Sequence, residues 1–482
     1  MNMERTRRGS AHLERRPMLR PMTIPLGILA AICLWLSPAF AQAQKPAMPP
    51  SPTVKLVAPP PSAQPGPPPL ITLSEAIARA RKNSPVFQAA VTAAKLAKEN
   101  QVQAHAAMLP SFSYVMQYLN TQGNGIAATG RYVENDGVHV YRLWGVMREN
   151  MPASFFIDAG PHKAAYLRAV ADAGQEIARR GLAFTVTQDY YALVVAQRDY
   201  VTAEASLRDA RHFLAISQAL EKGGEVAETD VIRFQLQVTD KKEALAAAQL
   251  AMSVARQNLA VLLFPTLNNN FRVVDDLSSP PSLPTFAQAE ARARLHNPIV
   301  RAALAAYHAS RVDVSIAKSS FYPSLSINLD YGIDANAIAL RSIDTTVPGV
   351  VQPNLGYFVT YSLNLPIWDW GMLRSKLHQA KDQRDLAQVD LSYAQREVLS
   401  HLYSFYNQAA VAWDQLSDLG RSVRLANHNL TLVTMQYKAG ETTVLQVLDA
   451  ENSLVLARNN YVAGAAQYRN SLAQLQTLTG SF

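Results

Sequence analysis

The chain has 482 residues, a formal charge of +8 and one cysteine, Cys33. Six arginines and two glutamates fall within residues 1–41, so the remainder carries about +4, too mild a charge to argue for nucleic acid. Residues 42–482 hold no thiol, which excludes disulfides, thiolate metal sites and cysteine nucleophiles there.

Residues 1–41 read as a signal peptide. Arginines run from Arg5 to Arg20, an apolar stretch from Ile24 to Leu36 follows, and Ala39-Phe40-Ala41 puts small residues where a signal peptidase takes them. The apolar stretch is shorter than the ~20 residues a membrane helix needs, and Ile32 is not the small residue that lipoprotein processing favours before Cys33. Residues 42–69 form a Pro-rich linker: "KPAMPPSPTVKLVAPPPSAQPGPPPL" holds 11 of the 28 prolines and has no core-forming pattern. No other apolar run reaches membrane-helix length, so any membrane crossing has to be made by strands.

Ordered structure is expected from Leu70, and it is expected twice. Thr72–Tyr114 aligns without a gap on Thr285–Ile327 at an offset of 213, with Pro85 on Pro298 and Pro110 on Pro323. The first repeat is assigned to 70–266, a connecting linker to 267–283 and the second repeat to 284–482. In each, a short helix and a longer helix precede a strand, a loop, a strand, a very long helix and a return helix.

Pro110 and Pro323 end helical patterns and open alternating ones. In "SLSINLDY", Leu325, Ile327, Leu329 and Tyr331 alternate with Ser324, Ser326, Asn328 and Asp330. In "YFVTYSLNL", Tyr357, Val359, Tyr361, Leu363 and Leu365 alternate with Phe358, Thr360, Ser362 and Asn364. Period two with one polar face suits a tilted transmembrane strand and a soluble hairpin equally. The first repeat supplies "SFSYVMQYLN" and "VHVYRLWGVMRENM", the latter alternating poorly because of Arg142, Arg148 and Glu149. Tyr114, Tyr118, Tyr331, Tyr357, Trp144 and Trp368 are candidates for interfacial aromatic girdles.

Lys163–Glu221 and Met372–Lys438 contain no proline, which predicts rods of roughly 90 Å, far beyond the needs of a globular domain. In the last helix Val447, Leu454, Tyr461, Tyr468 and Leu475 recur every seventh position, shadowed three residues later by Ala450, Ala457, Gly464, Ser471 and Leu478. Val231, Val238, Leu245, Met252 and Leu259 repeat the row in the first copy. Such heptads pack helices closely. Each return helix follows a glycine bend rich in acids: Glu221, Glu225, Glu228 and Asp230 in one, Glu441, Asp449 and Glu451 in the other.

The ordered set of motifs resembles the TolC-type outer-membrane efflux family over about Leu70–Gly480. It comprises "TLSEAIARARKNSP" and "TFAQAEARARLHNP", "LPSFS" and "YPSLS", "LNLPIWDWG", and the bends "GEVAETDV" and "GETTVLQVLDAENSL". Strand count alone chooses no oligomer. The resemblance implies a mainly α fold with transmembrane β: a homotrimer whose 12-stranded barrel in outer-membrane lipid continues as a coiled-coil tunnel in the periplasm. It implies a periplasmic adaptor (membrane fusion) protein and an inner-membrane transporter as partners. The implied role is a passive exit duct, for drugs, ions or polypeptides, of a tripartite pump or a type I secretion system. By motif position Thr229, Asp230, Tyr437 and Thr442 fall on the family's latch, with Tyr437 expected to donate to Asp230. Asp449 falls on its constriction aspartate, and Gln446 replaces a second aspartate. Gly224, Glu225, Val226, Gly440 and Glu441 fall on the tip that meets the adaptor. The Pro-rich linker, the longer strand exit "NMPASFFIDAG" and the short "TLTGSF" end depart from the family pattern.

No HExxH, His-x-His, GxSxG, P-loop or GxGxxG occurs, so no catalytic residue, metal site or cofactor is expected. Asp158 and Asp369 read as carboxylates at helix starts. The competing reading is a soluble periplasmic coiled-coil adaptor or scaffold. That class carries a single hairpin beside soluble β-domains, not two strand-pair units with polar faces.

Overall fold

The computed structural model describes residues 68–120, 139–224, 226–266, 268–335, 338–343 and 349–481. The expected leader, nearly all of the Pro-rich linker and the tip residue Glu225 lie outside the described residues. In chain order the elements are β1 (Leu70–Ile71), α1 (Leu73–Asn83), α2 (Pro85–Ala106), β2 (Ser111–Asn120), β3 (His139–Met151), α3 (Ala159–Lys222) and α4 (Glu228–Leu263). After β4 (Arg272–Val273) the order recurs with α5 (Phe286–His296), α6 (Pro298–Ser319) and β5 (Ser324–Ala335). Two short strands, β6 (Arg341–Ile343) and β7 (Val351–Pro353), lead to β8 (Leu355–Asn364), α7 (Met372–Lys438) and α8 (Val444–Thr479).

Local chemistry sets the helix starts, and it sets them in pairs. The Thr72 hydroxyl accepts from the Glu75 amide, and Thr285 forms a full capping box with Gln288. Ser84 and Asn297 cap the next two helices, where Pro85 and Pro298 take the first helical position and their missing N–H costs nothing. Asp369 accepts from the amides of Gly371 at 3.0 Å and Leu373 at 2.6 Å ahead of α7. Asp158 does not act this way: it sits at φ 49° with no capping bond, so its backbone, not its carboxylate, makes the turn into α3.

The long helices have 64 and 67 residues, roughly 100 Å each. α3 packs along α4, α7 along α8, and α8 crosses onto α3, joining the two hairpins. The heptad row of α8 is the seam: Val447, Leu454, Tyr468, Leu475, Ala450, Ala457, Ser471 and Leu478 are buried and Tyr461 is half-buried. In α4 the row is buried at Val231, Val238 and Leu259 and half-buried at Leu245 and Met252.

Where the short helices meet these rods lies the largest core, built on Tyr190, Tyr191, Leu193, Val194, Leu259 and Leu263. The expected linker 267–283 is part of it. β4 pairs in parallel with β1, Phe271 and Leu277 are buried, and Tyr190 donates to the carbonyl of Val274 at 2.7 Å. Nearby, the buried Arg180 guanidinium donates to the carbonyls of Thr477, Leu478 and His296 and to Glu176, tying the C-terminal ends of α8 and α5 to α3. With Arg179 as its main partner, Glu176 is held at a pKa of about 2.

β2, β3, β5 and β8 form one antiparallel sheet in that order, so β2 and β8 are its edges. The register aligns the polar and apolar sets across strands: Ser326 faces Ser362, Ile327 faces Tyr361, and Tyr114, Gly145, Tyr331 and Tyr357 form one row. The apolar face is strongly exposed, with Phe112 at 78%, Met116 at 74% and Leu363 at 71%. Trp144 departs from the expected girdle. It pairs with Val115 and Gly332, which places it on the polar face, opposite to the tyrosines.

Candidate functional site

The two glycine bends close the far ends of the hairpins. Gly224 at φ 77° and Gly440 at φ 72° take the left-handed turn that follows each long helix, a conformation that strains residues with a Cβ. Around them Gly224, Gly440, Glu441, Glu228 and Thr229 are exposed, and Val226, Asp230 and Thr442 are half-buried. Glu228 and Asp230 occupy the first turn of α4, where the helix dipole favours negative charge. The Thr442 hydroxyl donates to the side-chain oxygen of Gln446 on the first turn of α8. Gln446 and Asp449 are both exposed.

Tyr437 is the exception among these positions. It is 3% exposed, inside a knot with Phe213, Phe234, Val444 and Val447 that draws on all four long helices. Phe213 stacks on Phe234 at 5.9 Å, and Phe234 meets Tyr437 edge-on at 6.1 Å. The expected bond from Tyr437 to Asp230 is not formed. The Tyr437 and Ser217 hydroxyls are buried without a hydrogen bond of normal geometry. Burial raises the phenol pKa, the nearby Ser217 hydroxyl opposes the rise, and the Asp230 carboxylate adds to it. Aromatic packing, not a charge-assisted hydrogen bond, fixes this ring.

Two turns into α8 lies a group that the sequence places with the tip acids and the structure removes from them. Glu451 is 2% exposed. One oxygen accepts from Ser206 of α3 at 2.7 Å, with Lys241 of α4 at 3.9 Å, and the other has no hydrogen-bond partner among the described residues. Burial pushes its pKa up; Ser206 and Lys241 work against the rise and Asp209 adds to it. Lys241 also donates to Asn452 at 3.0 Å. This polar cluster joins the hairpins above the aromatic knot. A helix turns about 100° per residue, so Asp449 and Glu451 point to opposite sides, and only packing against α3 tells which is buried.

Residues 291–481 match the family described as outer membrane efflux protein. The pyoverdine export outer membrane protein OpmQ of Pseudomonas aeruginosa is 24% identical over 426 residues, covering 85% of this chain and 84% of that protein. The outer membrane protein TolC of Escherichia coli is 25% identical over 175 residues, 34% of this chain and 36% of its own length. Among solved structures, a membrane protein of Pseudomonas aeruginosa superposes with a TM-score of 0.73 at 17% identity, over 84% of this chain and 90% of that one. Long helical hairpins, a four-stranded sheet with one apolar face and this family match agree: residues 291–481 match the outer membrane efflux protein family, and the chain as a whole is similar to TolC-type channels of the outer membrane that extend into the periplasm.

Proposed function

We propose that three copies of this chain form the passive exit duct of a tripartite efflux pump or a type I secretion system. The observation that carries this reading is the four-stranded sheet with two unpaired edges, β2 and β8, and an apolar outer face. Four strands cannot hide their edges in lipid, whereas three copies close a 12-stranded barrel whose polar faces line the lumen. Residues 70–266 and 284–482 act as the two repeats, each giving two strands and one hairpin of the tunnel wall.

The bends are the periplasmic entrance. Gly224, Glu225, Val226, Gly440 and Glu441 meet a periplasmic adaptor protein, and an inner-membrane transporter supplies energy and selects cargo. Thr229, Asp230, Tyr437, Thr442, Gln446 and Asp449 make up the gate region. Under threefold symmetry each exposed Asp449 becomes one of three carboxylates around the axis, favouring cations over anions. The buried knot of Phe213, Phe234 and Tyr437 supports a gate held shut by packing, since among the described residues the Tyr437 hydroxyl makes no bond to Asp230.

The test is envelope fractionation followed by single-channel recording in planar bilayers. A trimer in outer membranes is expected. Phe234→Ala and Tyr437→Ala should raise its resting conductance severalfold, while Tyr437→Phe stays near the parent. A soluble periplasmic monomer would overturn the duct in favour of the scaffold. Conductance unchanged in both alanine variants would overturn the packed gate.

A further inference from the structure

The polar face of the sheet is interrupted by an apolar band. One row across it reads Val115, Trp144, Gly332 and Gly356, and the next reads Ser113, Val146, Asp330 and Phe358. Trp144 and Phe358 belong to strands that do not touch; β5 lies between them. Their rings nevertheless meet edge to face at 5.6 Å and 81°. Gly332 lets the β3 backbone come close beneath the pair, since a Cβ there would sit 1.9 Å from the carbonyl oxygen of Leu143. Arg142 lies over the Trp144 ring at 5.4 Å and pairs with Asp334 at 3.4 Å, so its charge is balanced locally. Phe358 keeps 48% of its surface exposed.

A water-filled pore gains nothing from exposed aromatic rings, and lipid lies on the other side of the sheet. The rings are therefore placed to touch what passes. We propose that Trp144 and Phe358 form an aromatic constriction in the barrel lumen that engages cargo carrying aromatic rings. The inference rests on the trimeric-barrel reading above: the threefold axis repeats the pair into a belt of six rings between polar rows. Edge-to-face and offset-stacked contacts select arenes over aliphatic groups of equal bulk. The Arg142–Asp334 pair is balanced locally, while Asp330 in the row of Phe358 adds one acidic group per copy beside the rings, so uncharged probes isolate the contribution of the ring.

The experiment records block of the purified trimer in planar bilayers by N-acetyltryptophanamide or N-acetylleucinamide added on the extracellular side. The aromatic amide should dwell roughly threefold to tenfold longer than the aliphatic one. Trp144→Leu and Phe358→Leu, which keep an apolar side chain, should abolish the difference while trimers still form. Equal dwell times in the parent, or a preference that survives both variants, overturn the proposal. A separate arm tests the barrel reading with a membrane-impermeant thiol reagent on Ser362→Cys and Tyr361→Cys. Loss of conductance at Ser362→Cys alone, together with equal dwell times, means that only the aromatic constriction has failed. Loss at Tyr361→Cys alone overturns the barrel reading and the constriction with it.

Discussion

At Glu451 a carboxylate is held almost out of water, with one oxygen lacking a hydrogen-bond partner among the described residues, and burial raises its pKa. The folded state holds the proton to higher pH than the unfolded state, so stability falls as pH rises from the ordinary glutamate range through the raised folded value. Glu451→Gln removes the buried charge and keeps an oxygen for Ser206. Its melting temperature at pH 7 to 8 should equal or exceed the parent's, and the parent should gain more stability than the variant on acidification toward pH 5, since Asp189 and Asp199, also raised by burial, remain in both. Equal pH dependence in both proteins, read by thermal melting, would remove the buried-charge account. Glu176 has the opposite sign: its pKa of about 2 makes its contribution present above the ordinary glutamate range and lost toward pH 2. The pairing of Glu176 is legible in the sequence, since Arg179 and Arg180 follow it three and four positions later on one helix, whereas Glu451 is one helix acid among many. The burial and partners of Glu451 come from other helices, as when Ser206 meets it across 245 positions.

On the scale of elements, the strands make the sharpest prediction. Ile327 and Leu363 lie on the apolar face, Ser326 and Ser362 directly opposite each other on the polar one. Ile327→Arg and Leu363→Arg should each cost roughly 2–4 kcal/mol at the membrane midplane and block assembly, whereas Ser326→Arg and Ser362→Arg assemble and narrow the lumen. The yield of heat-modifiable trimer measures this; equal yields from the two faces would contradict the facing. The facing of β5 and β8 is legible in their period-two alternation, because each side chain on a pleated strand points opposite to the last. β3 is a different case. Arg142, Arg148 and Glu149 break its alternation, so only the pairing to β2 and β5 settles that Trp144 shares the polar face while Glu149 shares a face with Ile327. Glu149 is also buried, and neither of its oxygens has a hydrogen-bond partner among the described residues. A one-residue uncertainty on a strand inverts every side chain, which is why a single poorly alternating segment moved one tryptophan to the wrong side.

On the scale of the whole molecule, the unpaired edges and exposed apolar helix positions such as Leu236, Leu250, Leu386 and Leu425 call for neighbouring copies. A disulfide scan tests this in a chain that has no thiol after Cys33. Tyr114→Cys on β2 should be combined in turn with cysteines at Tyr357, Val359, Tyr361 and Leu363 on β8. One combination should oxidise to a ladder ending at trimer, because a disulfide requires Cβ atoms about 3.5–4.5 Å apart and so only true neighbours across the edge qualify. A ladder ending at dimer, or no ladder from any combination, would rule out the threefold barrel.

The sequence by itself determined what depends on local chemistry and on period. Threonine, serine, asparagine and proline at matched spacings set the helix starts of both repeats, glycines set the two bends, and heptads set the seams of α4 and α8. Only the tertiary structure decided what depends on one segment meeting another. It paired Arg272 and Val273 of the connection with β1 and buried Phe271 and Leu277 beside them, drew Tyr437 into an aromatic knot away from Asp230, buried Glu451 two positions from the exposed Asp449, and laid Trp144 beside Phe358 across an intervening strand. The reason is geometric. Periodicity gives each element an apolar side but not the identity of its partner, and burial, charge balance and ring contact belong to the pair.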